Sequence, residues 1–327
     1  MMTNKEVLDF IKKHKKFAIF AHTNPDPDAF GSMFAFKDLC QKMGISADVF
    51  IAKREKQNYL DLIFPIESAN IDFCAKEYDA AVLLDVYEYE RTNIDKSCAD
   101  EIFKVEDLLI VDHHLVAEDF ELPSKNFHIE TKASCCQLIV DLYKEANIEI
   151  DAQTATYLYA GLMGDTSRFL HNNLNKDVFE TAILLQERGA DIQGVYDAMF
   201  RCRTPEQLKV NKFFLNTFKY LCNGEGACFV VTLKDRKRLN VNYDDVKTFC
   251  NEMTKIKGVK VSFLCIEKSK NHFKFCTRCL TGYNINKLCV RMGGGGHICA
   301  SGFEIDMTKR KLMKMLPIWC KEVLDGK

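Results

Sequence analysis

Aspartate and histidine residues recur in the first half of the chain at the ends of apolar runs. One group lies in "AHTNPDPDAFGS", which follows "FAIF" and places a histidine and two aspartates beside two prolines. Three more groups lie in "LLDV", "IVDHHL" and "GLMGDTSRF". Carboxylates and imidazoles bind divalent cations and transfer protons. The residues concerned are His22, Asp26 and Asp28; Asp85; Asp112, His113 and His114; and Asp165.

Each group alone has a simpler interpretation, because an aspartate after a strand often caps a helix or forms a turn. Four groups of the same two residue types are harder to explain in that way. Such ligands suit Mn²⁺, Fe²⁺, Zn²⁺ or Mg²⁺, and the excess of carboxylates favours the harder ions. Two ions about 3.5–4 Å apart would activate water and neutralise a phosphoryl group. Six residues supply enough ligands for them: His22, Asp26, Asp28, Asp85, His113 and Asp165.

A second candidate site lies in the glycine-rich segment "RMGGGGHICASG". Glycine runs are often flexible loops, but this one lies between apolar stretches and ends at a histidine. Glycines let backbone N–H groups approach a phosphate closely. An upstream arginine can bind the same phosphate through two hydrogen bonds, and a further arginine beside Asp165 could do so or form a surface ion pair. The candidate substrate-binding residues are Gly294, Gly295, Gly296, His297, Arg278 and Arg168, together with His114.

The chain that must position these residues alternates strands and helices. Nearly continuous apolar runs at residues 17–21, 47–52, 79–86 and 107–114 predict buried parallel strands. Helical patterns follow at residues 29–43, 134–146, 152–165 and 175–190. The alternation predicts an α/β fold with a doubly wound, mainly parallel sheet. Because ligands bind beyond the carboxyl ends of such strands, we expect the four groups to meet at one rim.

A chain of 327 residues is long for one core, so we expect two domains. The patterns predict a catalytic domain at residues 1–190, a helical connector at 191–222 with helices over 191–200 and 204–221, and a second, smaller α/β domain at 223–327. In that domain we predict strands at 227–233, 259–268 and 272–280 and a helix at 243–256.

The net charge is −15 up to residue 200 and +14 afterwards. The acidic first part could bind cations, and the basic second part could attract phosphate-rich ligands. Charged residues on solvent-exposed faces explain the split equally well.

The fifteen cysteines do not by themselves indicate disulfides or zinc. No apolar run reaches the ~20 residues of a membrane span, and the charged N-terminus lacks a signal-peptide core. We therefore expect a cytoplasmic protein with reduced thiols. Cys276 and Cys279 form the pair "CTRC" on a predicted strand, where residues three apart face opposite sides, which argues against a zinc site.

Taken in order, "HTNPDPDAFGS", "LLD", "VDHH", "GDTSRF" and "GGGGHICASGF" resemble the motifs of the DHH phosphoesterase superfamily with a DHHA1 domain. The layout is similar to the short stand-alone group of nanoRNases and pAp phosphatases. The resemblance implies that one metal is held by His22, Asp26 and Asp85, and the other by Asp28, Asp85, His113 and Asp165. It further implies that Asp85 bridges the metals, that Asp112 orients its neighbours, and that His114 faces the substrate phosphate. DHHA1 domains often have Arg-Ser where this chain has Arg278 and Cys279, so only the arginine contact is carried over.

The resemblance implies a metal-dependent phosphoesterase with Asp85, His113 and His114 at its catalytic centre. We expect it to hydrolyse short RNA oligonucleotides to nucleoside monophosphates and pAp to AMP, with two Mn²⁺ ions, or Mg²⁺ or Fe²⁺ in their place. Cyclic di-AMP and pApA remain alternative substrates, because enzymes acting on them share these motifs. A non-catalytic nucleotide sensor is a further alternative. The expected partners of this protein are short RNA, pAp or related nucleotides, and no membrane association is expected. A homodimer is left open.

Overall fold

A computed structural model gives the fold of the chain. It describes residues 1–23, 25–51, 60–70, 73–88, 91–92, 107–116, 121–122, 125–170, 173–201 and 204–326, except for the side chains of residues 248 and 297. The chain forms two compact units, Met1–Cys202 and Arg203–Lys327. Among the described residues, no helix has the length and apolar character needed to cross a membrane.

The first unit is built on a five-stranded sheet in which every neighbouring pair of strands is parallel. The strand order β2-β1-β3-β4-β5 confirms the predicted parallel α/β sheet. The strand β5 was not predicted, because its three residues "NFH" form too short an apolar pattern to recognise. The strands are β1 (Lys16–Phe20), β2 (Ser46–Val49), β3 (Ala80–Leu84), β4 (Leu108–Asp112) and β5 (Asn126–His128).

Each α-helix of this unit that the structure describes begins at a polar side chain, which accepts a hydrogen bond from an N–H group of the first turn. Such caps satisfy donors that have no partner within the helix. The capping residues are Thr3, Asp26, Ser134, Asp151, Asn175 and Asp191. The helices are α1 (Asn4–Lys13), α2 (Pro27–Lys42), α3 (Cys135–Ala146), α4 (Ala152–Asp165), α5 (Lys176–Glu187) and α6 (Ile192–Phe200).

Side chains alternate between the two faces of the sheet, as strand geometry requires. Phe17 and Ile19 of β1 pack into a core shared with α1, α2, α3 and α4. Ala18 and Phe20 face the other way, into a smaller core that includes Phe50. The sheet is therefore buried on both faces, which explains why its strands are nearly continuous apolar runs.

The second unit contains a six-stranded mixed sheet in the order β10-β11-β9-β8-β7-β6. The pair β7–β8 is parallel and the other pairs are antiparallel. The strands are β6 (Lys219–Leu221), β7 (Gly226–Val231), β8 (Val261–Ser269), β9 (His272–Cys279), β10 (Gly295–His297) and β11 (Ala300–Asp306). The helices are α7 (Pro205–Thr217), α8 (Leu233–Leu239), α9 (Tyr243–Lys247), α10 (Asn286–Arg291) and α11 (Lys309–Leu324).

Two elements of the second unit differ from the prediction. The helix expected over residues 243–256 is α9 followed by two short 3₁₀ helices, Thr248–Asn251 and Met253–Lys255. The sequence "TFCN" accounts for the early end, because each of these residue types is a weak helix former. The helix expected over residues 204–221 ends at Thr217, and the residues that follow form the edge strand β6.

Candidate active site

The first two groups of acidic residues lie where the strand order reverses. β1 lies between β2 and β3, so the chain moves to one side of the sheet after β1 and to the other side after β3. Such a reversal leaves a crevice at the carboxyl ends of the strands. His22 and Asp26 follow β1, and Asp85 follows β3 directly. His22 Nε2 lies 3.5 Å from Asp85 Oδ2 and 4.0 Å from Asp26 Oδ1.

The two aspartates of the "NPDPD" segment have different surroundings. Asp26 caps α2, and its Oδ1 accepts hydrogen bonds from the N–H groups of Asp28 and Ala29 at 2.9 and 3.1 Å. Asp28 is fully buried, and its carboxylate accepts bonds from Cys135 N (2.6 Å) and Cys136 N (2.9 Å). These amides are the first two of α3, so unpaired donors of a helix N-terminus fix the Asp28 carboxylate.

A glycine on α4 makes room for this carboxylate. A Cβ atom placed on Gly161 would lie 2.8 Å from Asp28 Oδ1 and 2.3 Å from Cys136 Sγ. A Cβ atom does not approach other heavy atoms this closely, so a larger residue would displace either Asp28 or the start of α3. Gly161 is therefore a requirement of the site as well as of the packing between α2 and α4.

Asp85 lies at the centre of the cluster. It is 2% exposed and has a left-handed backbone with φ = 60°, a conformation that aspartate tolerates better than most residues. Its Oδ1 lies 3.3 Å from His113 Nε2 and 3.6 Å from His114 Nδ1, in addition to the contact of Oδ2 with His22. A left-handed residue buried among ionisable groups is typical of functional sites.

His113 presents its Nε2 atom to three carboxylates. Its Nδ1 atom lies 3.3 Å from the carbonyl oxygen of Lys132, which can only accept, so Nδ1 carries the proton when the ring is neutral. The lone pair of Nε2 then faces Asp165 at 3.0 Å, Asp85 at 3.3 Å and Asp28 at 3.6 Å. This tautomer is the one that a metal-binding imidazole requires.

Asp112, the last residue of β4, holds the two histidines that follow it. Its Oδ1 accepts hydrogen bonds from His113 N at 2.8 Å, His114 N at 3.3 Å and His114 Nδ1 at 2.8 Å. Asp112 is fully buried, whereas the His114 side chain is 28% exposed. Asp112 therefore fixes the backbone of both histidines and the orientation of the His114 ring.

The cluster fits divalent cations. Among the described residues, donor atoms lie within 4.8 Å of one another in three groups, and Asp85 belongs to all three. Asp85 Oδ1, Asp112 Oδ2 and His113 Nε2 are buried atoms with no hydrogen-bond partner in the part of the chain that the structure describes. Unpartnered buried polar atoms are costly, and a bound cation would satisfy those that face the cluster. The groups are Asp85, Asp112, His113 and His114; Asp28, Asp85, His113 and Asp165; and His22, Asp26 and Asp85.

The pKa values in the cluster show how strongly its charges interact. Burial raises the pKa of Asp28, and the negative charges of Asp165 and Asp85 raise it further. Burial also acts to raise the pKa of Asp85, but His113 and His22 outweigh it and hold that pKa well below its usual range. Burial lowers the histidine pKa values, yet the neighbouring carboxylates raise the pKa of His22, His113 and His114 above the ordinary value.

The fourth acidic group lies at the end of α4. Asp165 is the last helical residue, where the helix dipole disfavours a negative charge that a cation would offset. Three residues with left-handed backbone follow, Ser167, Arg168 and Phe169, with φ between 46° and 65°. The Arg168 guanidinium lies over the ring of Phe200, 4.8 Å from its centroid. Arg168 therefore makes an aromatic contact, which the sequence analysis did not consider.

The candidate phosphate-binding residues of the second unit lie at neighbouring register positions of its sheet. Arg278 of β9 lies opposite Ala300 of β11, which lies opposite His297 of β10. Arg278 Nε donates to Asn251 Oδ1 at 2.8 Å, and its Nη2 atom lies 3.3 Å from Cys250 Sγ. These contacts hold the guanidinium of Arg278 on β9, which β11 separates from the glycine-rich strand β10.

The glycine run forms an edge strand and not a flexible loop. Gly295, Gly296 and His297 make up β10, which pairs with β11. Gly294 and Gly296 cannot be replaced without strain, because a Cβ atom would lie 2.1 Å from Gly302 O in the first case and 2.6 Å from Ala300 O in the second. The glycines therefore bring two backbones together, in addition to any contact with a phosphate.

Comparison with known proteins identifies the family. The model of the DHH family, N-terminal domain, matches residues 16–162, and that of the DHHA1 domain matches residues 223–321. The chain contains an N-terminal domain of the DHH family and a DHHA1 domain. The first match contains the groups that follow β1, β3 and β4, and the second contains Arg278 and the glycine-rich strand.

Several curated proteins resemble this DHH chain over nearly its whole length. It is 28% identical over 305 residues to the bifunctional oligoribonuclease and PAP phosphatase NrnA of Mycoplasma genitalium, with 93% of each protein covered. It is 27% identical to the protein of the same name from Mycoplasma pneumoniae, which covers 97% of this chain and 96% of the relative. A probable protein of this name from Streptococcus mutans is also 27% identical, over 92% of this chain and 93% of the relative.

Solved structures support the fold. An exopolyphosphatase-related protein from Bacteroides fragilis has a TM-score of 0.89 at 21% identity and covers 98% of this chain and 95% of its own. RecJ from Thermus thermophilus, solved with Mn²⁺, has a TM-score of 0.53 at 11% identity and covers 98% of this chain and 54% of its own. At these identities the likeness establishes the DHH fold alone.

Sequence reasoning missed several residues that hold the site together. The amides of Cys135 and Cys136, the carbonyl oxygen of Lys132 and the space at Gly161 all act through the backbone, which no side-chain pattern reveals. One local signal was available, because "SCCQ" has the serine expected at a helix N-terminus. That signal locates the start of α3 but not its contact with Asp28, which lies 107 residues earlier.

Proposed function

We propose that this chain is a metal-dependent phosphoesterase that hydrolyses short RNA oligonucleotides to nucleoside monophosphates and pAp to AMP. The observation that supports it most is the position of Asp85, whose carboxylate belongs to three overlapping groups of donor atoms. A buried carboxylate shared in this way suits two neighbouring cations, with Asp85 as the ligand common to both. The names of the NrnA relatives supply the substrate class.

We assign His22, Asp26 and Asp85 to one cation and Asp28, Asp85, His113 and Asp165 to the other. A ligand set with many carboxylates and few imidazoles favours Mn²⁺, with Mg²⁺ and Fe²⁺ as alternatives. When bound, the cations would supply positive charge that stabilises the phosphoryl group in the transition state and lowers the pKa of water. The protein's own share is to fix these ligands, which it does through the α3 amides and the Lys132 carbonyl.

His114 is the residue that we assign to the leaving oxygen. Its pKa lies above the ordinary value, since Asp112 and Asp85 outweigh the effect of burial. The ring therefore keeps its proton to a higher pH than an ordinary histidine does in the metal-free protein. Asp112 accepts from Nδ1, so Nε2 would pass its proton to the substrate oxygen as the P–O bond breaks. The product is then an alcohol instead of an unstable alkoxide.

We assign substrate binding to residues other than the metal ligands. Arg278, held by Asn251, would bind a substrate phosphate through charge-assisted hydrogen bonds. The glycine-rich strand β10 is an edge strand of its sheet, so part of its backbone is not engaged by β11. We assign to the same phosphate those N–H groups of residues 295–297 that do not pair with β11, because the N–H group of Gly294 donates to the carbonyl oxygen of Cys289 at 2.8 Å. Arg168, which lies over Phe200, is a further phosphate ligand in this scheme.

A substrate panel tests the proposal. The purified protein is assayed with Mn²⁺ against pAp, RNA of 2 to 24 nucleotides, pApA and cyclic di-AMP, alongside the Asp85→Asn variant. We expect hydrolysis of pAp and of the shortest RNAs that requires Mn²⁺ and is lost in the variant. Preference for cyclic di-AMP or pApA would reassign the substrate while keeping the chemistry. Nucleotide binding without hydrolysis of any member would overturn the proposal in favour of a sensor.

A further inference from the structure

A buried histidine outside the four sequence groups contacts the candidate active site. His128 is the last residue of β5 and lies opposite Asp112 in the register of β4 and β5. It is 7% exposed, and its Nε2 atom lies 2.6 Å from the backbone oxygen of His114. A carbonyl oxygen can only accept, so His128 Nε2 carries a proton and donates it in this bond.

This hydrogen bond completes a set of contacts around His114. Asp112 Oδ1 accepts from the His114 amide and from its ring nitrogen Nδ1. His128 donates to the carbonyl group of the same residue. The amide, ring and carbonyl of His114 are thus each held by a buried side chain. Both holding residues are the last residues of adjacent strands, at positions that pair with each other.

Position at a strand end explains why such contacts are needed. Backbone pairing fixes β4 only as far as Asp112, whose carbonyl oxygen accepts from Ile129 N at 3.1 Å. The next residues leave the sheet and depend on side chains for their position. A catalytic group that is misplaced by about 1 Å can lose about 100-fold in rate, so ties beyond the last backbone bond affect turnover.

We infer that His128 is a positioning residue, whose hydrogen bond to the His114 carbonyl holds the His114 ring where it serves the substrate. The inference rests on the proposed function, because it takes His114 as the proton donor to the leaving oxygen. His128 touches neither the substrate nor a candidate metal ligand in this scheme. It acts on turnover only through His114.

Three variants separate positioning from packing. His128→Leu fills the space without a donor, whereas His128→Gln keeps an N–H group that can reach the same carbonyl. His14→Leu is the matched control, because His14 belongs to the same unit, has a side chain that is 9% exposed and bonds to Asp107 and to the Phe10 carbonyl. It therefore loses comparable buried hydrogen bonds away from the site.

We expect His128→Leu to lower kcat on pAp and on a ribodinucleotide about tenfold, a typical effect for a group that orients an active-site residue. KM and Mn²⁺ affinity, the latter measured by calorimetry, should stay within about twofold of wild type. His128→Gln should recover most of the loss. His14→Leu should lower the melting temperature as much as His128→Leu does and leave kcat unchanged.

Two readouts distinguish action through His114 from a general effect on the fold. A nucleoside 5′-(p-nitrophenyl phosphate) has a leaving group that needs no proton, so its turnover should be nearly insensitive to His128→Leu. In a His114→Gln background, His128→Leu should cost nothing further on any substrate. Equal losses in both backgrounds, an equal loss on the p-nitrophenyl ester, or an unchanged kcat would each overturn the inference.

The failure of the proposed function would look different. If wild type hydrolyses none of these substrates, or if His114→Gln leaves turnover unchanged, the role of His114 itself is wrong. If His114→Gln lowers kcat and His128→Leu does not, only the positioning role of His128 fails.

Discussion

Asp85 Oδ1 and His113 Nε2 lie 3.3 Å apart, both buried and neither with a hydrogen-bond partner among the residues that the structure describes. When the His113 ring is neutral, both atoms offer lone pairs, and a bound cation would satisfy both. Asp85→Asn is expected to lower kcat about 1000-fold or more, because the bridging charge contributes several kcal/mol to the transition state. Asn is the informative substitution, since it tolerates the left-handed backbone at this position.

Thermal unfolding checks the same variant without relying on turnover. A ligand that binds only the folded protein raises its melting temperature. Wild type should gain stability from Mn²⁺, and Asp85→Asn should lose most of that gain. Asp9→Asn, an exposed position on α1, is the control and should keep both the activity and the gain. An active Asp85→Asn enzyme would disprove the shared-ligand scheme.

Proton release provides a second test of the cluster. The pKa of Asp28 is raised by burial and by the charges of Asp165 and Asp85, and the pKa of His113 is raised by the surrounding carboxylates. Both groups therefore hold protons in the metal-free protein at a pH where free aspartate or histidine would not. Each must lose its proton to bind a cation. Mn²⁺ binding should release protons over the pH range in which these two groups titrate, and affinity should fall as the pH falls.

Calorimetry in buffers of different ionisation enthalpy measures this release directly. We expect a net release of protons on Mn²⁺ binding, to which both groups contribute. Binding heats that are the same in every buffer would contradict the assignment of Asp28 and His113 as ligands.

Gly161→Ala should damage the site through the backbone. The added Cβ would lie 2.8 Å from Asp28 Oδ1 and 2.3 Å from Cys136 Sγ. Overpacking of this kind costs about 1–3 kcal/mol of stability. Because the strain falls on Asp28, Mn²⁺ affinity should fall as well, which a purely structural defect would not require.

Gly164→Ala is the control for this prediction. It makes the same change on the same helix, but its Cβ would lie no closer than 3.2 Å, to Pro27 Cβ. Its Mn²⁺ affinity should stay near wild type. Equal losses of affinity in the two variants would mean that Gly161 has no particular relation to Asp28.

Arg278→Ala should weaken substrate binding and leave metal binding unchanged. Loss of a charge-assisted hydrogen bond costs about 1.5–3 kcal/mol, which raises KM by about 10- to 150-fold. Asn251→Ala should cause a smaller rise, because it removes only the acceptor that orients the Arg278 guanidinium. Steady-state kinetics and Mn²⁺ titration measure the two effects separately.

Arg291→Ala serves as the matched variant, since Arg291 is an exposed arginine that pairs with Glu322 on the surface. It should change neither KM nor Mn²⁺ affinity. A loss of Mn²⁺ binding in Arg278→Ala would show that the division between metal ligands and substrate ligands is wrong.

The sequence predicted much of the first unit because its elements have long and consistent patterns. The helix expected over residues 152–165 matches α4 at both ends, and the apolar runs of β1, β3 and β4 are recognisable since both faces of their sheet are buried. The parallel topology then brings the strand ends to one rim. Six side chains chosen by type alone therefore lie together, although their roles as ligands stay predictions.

Features that depend on distant backbone were not accessible in this way. β5 has only three residues, two of them polar, so neither the strand nor His128 could be recognised. The glycine run suggested a phosphate-binding loop, whereas its strand character comes from pairing with β11, a tertiary contact. Arg278 was identified from its type and position, but its contact with Asn251 depends on where the 3₁₀ helices end.

The dependence of turnover on RNA length and salt tests the charge pattern of the chain. The net charge is +14 after residue 200 and −15 before it. A short anionic substrate is attracted by the positive segment, whereas the negative charge of the catalytic segment disfavours additional phosphates. We expect kcat/KM to fall once the RNA exceeds a few nucleotides. The salt dependence should be shallow, because the slope is about 0.7 per neutralised phosphate for single strands. Arg278→Ala should make the salt dependence shallower still, by about the contribution of one phosphate.

The measurement is kcat/KM against RNA length at two ionic strengths for wild type, Arg278→Ala and Arg291→Ala. Efficiency that rises steadily with length, together with a steep salt slope, would instead indicate an enzyme that tracks along long strands.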